Sequence, residues 1–357
     1  MTWPPDQGGD VALWVGNARA RLTCVEAAGK SWPVSLSEPD RREEATWLTS
    51  LLSAVIGTPR DEISADALTL KGQATVSALR VLEALAHLAG LDRCAMVNNT
   101  LMSVSPIGTS QLAGLGEAVR SAAERWPDRV AVARGIVCEA ENVLALARRI
   151  GAFAVPNRVS YAYDLTGGRT PEKINAQRDF TLLAKAGLEV VAPAGFSADD
   201  LAQAHAQYFS VYVGRHGRRN PQFTQRFFAD IHQAGATEFW GLRRGGALVA
   251  FVALRDHGEF LSVPLIGYDT AADKKLGYYR QIFALALRVA AERRRVINFG
   301  AGAGQYKKLR GAVVALEYML ICPPRSGALG RVLGLVLRAA EEPLGRGIPK
   351  AILAYGG

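Results

Sequence analysis

Leu265-Ile-Gly-Tyr-Asp-Thr-Ala-Ala-Asp-Lys-Lys-Leu-Gly-Tyr-Tyr-Arg-Gln-Ile-Phe283 decides how this chain is read. An apolar strand ends at Tyr268, a polar loop follows, and Gly277 stands where a long apolar helix begins. A helix N-terminus leaves N–H donors free and carries the positive end of the peptide dipoles, so it attracts phosphate. Lys274, Lys275 and Arg280 add full charges beside that end. The run Lys274, Lys275, Leu276, Gly277, Tyr278, Tyr279, Arg280 therefore reads as a seat for a pyrophosphate, such as that of coenzyme A, or for an RNA backbone. A plain strand-to-helix turn with solvated lysines is the bland reading of the same letters.

Downstream, the spacing predicts a helix over 277–293, a buried strand from Val296 to Gly300, a short basic helix over 305–311 and a closing strand over 313–322. Gly300, Gly302 and Gly304 let a ligand approach the backbone closely. Their spacing partly mimics a dinucleotide-binding fingerprint. The following helix is short and basic, and no acidic residue stands at the required distance, so a Rossmann reading is rejected. Upstream, 238–255 reads as a hairpin turning at Arg244-Gly-Gly-Ala, with helices over 197–213 and 223–234 and a strand over 188–192.

The first half repeats that order of elements. Strand 95–104, a helix from Thr109 or Ser110 to Trp126, strand 130–136, helix 139–150 and an extended stretch over 152–165 follow one another. Helices are predicted over 41–56 and 73–89 before them, and residues 1–40 read as irregular, with a short strand at 11–15. Pro171 to Ala186 is a basic helix closed by Gly187. The chain thus divides into a lead-in (1–40), an N-terminal lobe (41–166), a basic connector (167–196), a C-terminal lobe with the donor site (197–325) and a helical tail (326–357).

The run from about 200 to 322 resembles the GNAT-type acyltransferase domain of the BioF2-like and FemAB-like group. The matching parts are Gly267-Tyr268-Asp269, the loop reaching Gly277, the strand Ile297-Asn-Phe-Gly, and Gly302 through Tyr306-Lys307. Lys173-Ile-Asn-Ala-Gln-Arg-Asp-Phe-Thr-Leu-Leu-Ala-Lys-Ala-Gly-Leu-Glu-Val resembles that group's connector between two lobes. The resemblance implies an α/β (α+β) fold of two tandem GNAT-like lobes, each a mixed, mostly antiparallel twisted sheet flanked by helices. Apart from Pro106-Ile-Gly-Thr-Ser, the first lobe lacks a comparable loop, which argues for one donor site, in the second lobe.

The reaction so implied is transfer of an acyl or aminoacyl group to an amine. It needs two splayed strands to accept the donor's arm, a backbone donor to polarise the carbonyl, and a base for the ammonium nucleophile. Tyr268 and Asp269, at the end of the donor strand, and Glu259, at its beginning, are candidates to contact the amine. Tyr278, Tyr279 and Tyr306 are candidate acids for a leaving thiolate. Asn298, Gln305, Lys307 and His216 are candidates for binding substrate. Each has a bland reading: Tyr278 or Tyr279 as core, the lysines as solvated, Glu259 as a strand end. No Ser-His-Asp or Cys-His arrangement stands out, so direct attack is expected rather than an acyl-enzyme.

Composition bounds the rest. Four cysteines, Cys24, Cys94, Cys138 and Cys322, lie far apart without paired spacing, so no metal site is expected. No apolar run reaches the roughly 18–20 residues that span a bilayer, and the N-terminal residues lack the pattern of a secretory signal, which together point to the cytoplasm. A net charge of +9 favours anionic partners. Acyl-CoA is the expected donor, with a small-molecule or peptide amine as acceptor. An aminoacyl-tRNA donor is the alternative, favoured by Lys173, Arg178, Lys185 and the arginine-rich loop 215–219. A GNAT fold kept only for binding is the third reading.

Overall fold

The computed structural model describes residues 3–5, 8–66, 70–88 and 90–325. Twelve strands form one sheet: β1 (Gly9–Asp10), β2 (Ala20–Ala27), β3 (Lys30–Ser37), β4 (Cys94–Val97), β5 (Val130–Ile136), β6 (Phe153–Asp164), β7 (Glu189–Val191), β8 (Glu238–Arg244), β9 (Ala247–Asp256), β10 (Phe260–Tyr268), β11 (Val296–Asn298) and β12 (Val313–Cys322). The helices are α1 (Thr58–Asp66), α2 (Leu70–Leu88), α3 (Thr109–Arg125), α4 (Ala140–Ile150), α5 (Ile174–Lys185), α6 (Ala198–Tyr208), α7 (Gly214–His216), α8 (Gln225–Gln233), α9 (Tyr278–Glu292) and α10 (Gly304–Lys308).

Across the sheet the order is β1-β2-β3-β4-β5-β12-β6-β11-β10-β9-β8-β7. The repeated order of elements is present: β4-α3-β5-α4-β6 in the first half and β10-α9-β11-α10-β12 in the second. In each half the first two of those strands pair in parallel, as a strand–helix–strand crossover requires. All other pairings between strands are antiparallel. The closing strands are exchanged between the halves: β6 lies against β11, and β12 lies against β5. They also pair with each other from Phe153↔Ile321 to Ala162↔Val313, so the halves share one ladder at the centre.

Residues 1–40 depart from the irregular reading. β2 and β3 form a regular hairpin through Ala28 and Gly29, both at positive φ, a turn geometry that matches the twist of paired strands. Pro33 within β3 and the mixed polarity of β2 hid the alternation. Residues 11–13 form a 3₁₀ turn instead of a strand. The helix expected over 41–56 begins only at Leu51 and passes through a π-turn, Ser53–Gly57, before α1. β4 stops at Val97 because the backbone turns left-handed at Asn98. The helical tail expected over 326–357 lies outside the described residues.

Helix α9 is apolar almost all round because it is covered on both sides. Ile282, Phe283, Ala286 and Val289 are buried, β9 and β10 pack on one side, and α5 packs on the other. Burying side chains of this size contributes about 1.5–3 kcal/mol each. That packing fixes where the N-terminus of α9 points. Among the described residues, no helix is long and apolar enough to cross a membrane.

Candidate active site

β10 and β11 are held together over three positions only: Phe260↔Val296, Leu261↔Ile297 and Ser262↔Asn298. Past Asn298 the chain turns away toward β6, where the Phe299 amide donates to the Tyr161 carbonyl at 2.9 Å. β10 runs on to Tyr268, paired on its other side with β9. A bulge at Val263 and Pro264 shifts the β9 register there. The result is a splayed strand pair, open toward the end of β10 that leads to α9.

The matching gap in the first half is closed. There Ile107 forms a parallel bridge with Ile136, its amide donating to the Gly135 carbonyl at 2.7 Å. The two helix N-termini differ in the same sense. No side chain caps α9. The N-terminus of α3 is occupied by Glu259, whose carboxylate accepts from the Ser110 amide at 2.8 Å and from the Ser110 hydroxyl. Gly108, just before α3, has no Cβ, and one there would overlap that carboxylate. Ser110 holds Glu259 below the usual carboxylate range. Glu259 is thus not a base beside Tyr268 and Asp269. It sits at the far end of β10, on the other lobe's helix, where a carboxylate replaces a bound anion. Glu259→Ala is expected to cost about 1 kcal/mol, the usual worth of an N-cap, read as a small drop in thermal midpoint with kcat unchanged.

The residues of the quoted segment surround the open corner. Lys274 and Lys275 are exposed on a 3₁₀ turn, Lys274–Leu276, begun by Asp273, whose side chain accepts from the Lys275 amide at 2.9 Å. Gly277 adopts φ 65°, a left-handed conformation that favours glycine, and a Cβ there would press on Leu182 Cδ2. Tyr278 is core, 5% exposed, with Arg244 over its ring. Tyr279 is the outward member of the pair. Its ring lies between those of Tyr268, at 5.7 Å, and Tyr306, at 5.0 Å. Phe283 stacks on Phe299 at 4.1 Å behind them. Burial, with Tyr268 nearby, pushes the Tyr279 phenol well up, so it stays protonated. Tyr268 accepts from Arg215 at 3.4 Å, and one Asp269 carboxylate oxygen is engaged by the Ala271 amide at 2.9 Å.

Arg280 stays 41% exposed beside the start of α9 but is anchored through one nitrogen. Its Nε donates to Asp179 Oδ1 at 2.6 Å. Asp179, on α5 and 2% exposed, also accepts from Arg310 Nε at 2.5 Å and from the Tyr306 hydroxyl at 3.0 Å. Arg310 lies 3.4 Å above the Tyr306 ring and donates to the Tyr306 carbonyl at 3.0 Å. Tyr306 is therefore a strut between the connector helix and α10, its phenol pushed up by burial and by Asp179. Sequence reasoning missed Asp179 and Arg310.

The candidate substrate residues fare differently. Asn298 is 2% exposed and turned inward, its Oδ1 accepting from the Gly300 amide at 2.7 Å, so it shapes the loop and no substrate reaches it. Lys307 is 3% exposed, and its ammonium donates to the carbonyls of Phe299, Gly300 and Ala301 at 3.0–3.1 Å. It clamps the loop that forms the β11 wall of the gap. Gln305 is exposed on the first turn of α10. His216 is exposed at the end of α7, its ring 6.1 Å from Tyr212, and is not part of the corner proper. In the same basic loop Arg219 is buried on Asp61 at 2.6 Å, which leaves Arg215 and Arg218 outward. Among the described residues, no group of His, Cys, Asp or Glu is placed to hold a metal ion.

Residues 175–308 match the family model of the acetyltransferase (GNAT) domain. Both the splayed strands and Asp179 lie inside that match. Among solved structures, L-PGS from Bacillus licheniformis is 13% identical, with 90% of this chain and 89% of that one covered at a TM-score of 0.51. The C-terminal domain of a protein described as a lysylphosphatidylglycerol synthetase from Agrobacterium fabrum is 16% identical, over 64% and 77%, at 0.47. FemX is 9% identical, over 85% and 88%, at 0.45. At 13% identity the likeness to L-PGS is one of fold. No curated protein matches the sequence.

Proposed function

We propose, from the premise that this chain carries a GNAT domain at 175–308 in a GNAT-like fold, that it is an N-acyltransferase using acyl-CoA. The observation that supports this best is the contrast between its halves. The second half has an open strand pair beside an uncapped helix, and the first half has the same elements bridged by Ile107 and capped by Glu259. The donor's arm lies along the free edge of β10 past Ser262. Its phosphates meet the amides at the start of α9, with Lys274 and Lys275 alongside. A neutral amine attacks the thioester carbonyl directly, the C–N bond forms, the tetrahedral intermediate collapses, and the C–S bond breaks. The protonated Tyr279 phenol, whose hydroxyl has no hydrogen bond among the described residues, supplies the proton to the departing thiolate and recovers one from the nitrogen, so that a neutral amide and a free thiol are the products.

The experiment is thermal-shift titration of the full chain with CoA esters and, in parallel, deacylated tRNA. A raised midpoint with CoA esters carries the reading, and a shift with tRNA alone replaces it with the aminoacyl-tRNA reading. The latter is favoured by the exposure of Lys173, Arg178, Lys185, Arg215 and Arg218, none ion-paired among the described residues. Lys274→Glu combined with Lys275→Glu is expected to weaken CoA-ester binding by about tenfold at low salt, with the difference shrinking at high salt, because exposed charges are screened. An affinity unmoved by the double charge reversal would place the phosphates elsewhere.

A further inference from the structure

A second cavity, of about 460 Å³, lies away from α9 between the β2–β3 hairpin, the start of α3 and the turn that joins β9 to β10. Its volume falls within the range that holds a small ligand. Trp3, Pro33 and Ile107 give it an apolar wall, and Lys30, Gln111 and Arg255 face it with polar groups. Arg255 is its unusual member. Nη1 of that side chain is buried and hydrogen-bonded to nothing among the described residues. Arg219 and Arg310, both buried, have carboxylates, Asp61 and Asp179; Arg255, half-buried, and Arg134, in β5, have none among the described residues. The nearby acid, Asp256, is already engaged by Arg295 at 2.8 Å and by the Gly258 amide at 2.8 Å. His257 does not serve either. It shares a hydrogen bond of 2.9 Å with Ser262 Oγ and is neutral, pushed down to about 3 by burial. Burial alone pulls Arg255 down to about 10, with no acid to offset it.

The guanidinium is half-buried and no carboxylate pairs with it, so an anion in the cavity would meet its accessible side and supply the counter-charge it lacks. We infer that this cavity is a binding site for a small molecule carrying a carboxylate or phosphate on an apolar body, with the anionic group on Arg255 and the body against Trp3, Pro33 and Ile107. The site is separate from the donor corner and does not depend on what the donor is. Lys30, whose ammonium lies 4.5 Å from the Trp32 ring centroid, adds long-range attraction at the mouth.

The test uses phenyl phosphate and phenylacetate as probes on the full chain, with 2-phenylethanol as the neutral control. At a tenfold excess over Kd a bound probe is expected to raise the thermal midpoint by about 2 °C for a chain of this length. The neutral control is expected to give no shift. A shift with phenyl phosphate alone assigns a phosphate ligand, one with phenylacetate alone a carboxylate ligand, and both outcomes support the site. Arg255→Met is expected to lose the shift, while its ligand-free midpoint stays near that of the wild type, since the change leaves no carboxylate without its partner. Should that variant not fold, Lys30→Gln is expected to weaken both acids several-fold. No shift with either acid overturns the inference. So does a shift retained when Arg255 is replaced, an affinity unchanged by Lys30→Gln, or displacement of the acids by coenzyme A, which would put them at α9.

Discussion

Replacing Asp179 by alanine is expected to lower the thermal midpoint by about 4–7 °C and to weaken donor binding at the same time. The side chain is 2% exposed and is the common acceptor for Arg280, Arg310 and Tyr306. Without it, Arg310, 9% exposed, is left as a desolvated charge with no counter-ion, while Arg280, 41% exposed, turns to solvent. Removing one partner from a buried ionic cluster costs about 3–5 kcal/mol, because the remaining charge stays desolvated. At the usual entropy of unfolding per residue, that free energy converts to the stated fall in midpoint. Donor binding follows because the cluster ties α5 to the first turn of α9 and to α10, and so sets the distance between the phosphate seat and the loop opposite. Asp179→Asn separates charge from shape: it keeps one acceptor but loses the ionic partner, so it is expected to recover only a minor part of the loss. Differential scanning calorimetry and CoA-ester titration of both variants read this out. A drop below about 1 °C for Asp179→Ala would mean that solvent already screens the arginines and that the cluster does not hold the corner.

The asymmetry between this residue and its neighbours shows what the sequence could and could not disclose. The order of strands and helices from Val130 to Cys322 was readable, since Gly187, Gly245-Gly246 and Gly277 mark turns and the apolar periods between them are clean. Gly277 and its flanking lysines could be found because a helix start is a local feature. Asp179 could not, because its partners stand 101 and 131 residues away, and a charged residue on a helix reads by default as solvated. The role of Glu259 was hidden for the same reason: its place at the start of the strand was readable, but its partner, Ser110, is 149 residues distant. The exchange of β6 and β12 was also invisible. Both strands alternate as edge or central strands do, and only pairing decides which half each one completes. Local chemistry located the corner, and contacts between distant segments decided which of its side chains hold the structure and which remain available.

Lys307 provides the sharpest pH-dependent expectation. Burial, with Arg158 nearby, pulls its amine down to about 7, against 10.5 for a free lysine. Between those values the unfolded chain binds a proton that the folded chain has released, so stability rises with pH. At full effect the slope approaches about 1.4 kcal/mol per pH unit. Below about pH 7 the amine is charged in both states, and the contribution is flat. Lys307→Met removes the titration. The midpoint of the wild type minus that of the variant is therefore expected to rise by about 3 °C from pH 7.5 to 9.5, while cysteines and tyrosines that titrate in the same range cancel in the difference. The variant also leaves the Phe299 and Ala301 carbonyls without the amine that gathers them, and so loosens the loop forming the β11 side of the open strand pair. Misplacing such a wall by about 1 Å costs on the order of a hundredfold in rate, so kcat/KM should fall by that order even at a pH where stability is unaffected. A pH-independent midpoint difference would show that the ammonium keeps its proton on the three carbonyls through the whole range, and that the amine serves as a fixed clamp with no titration of its own.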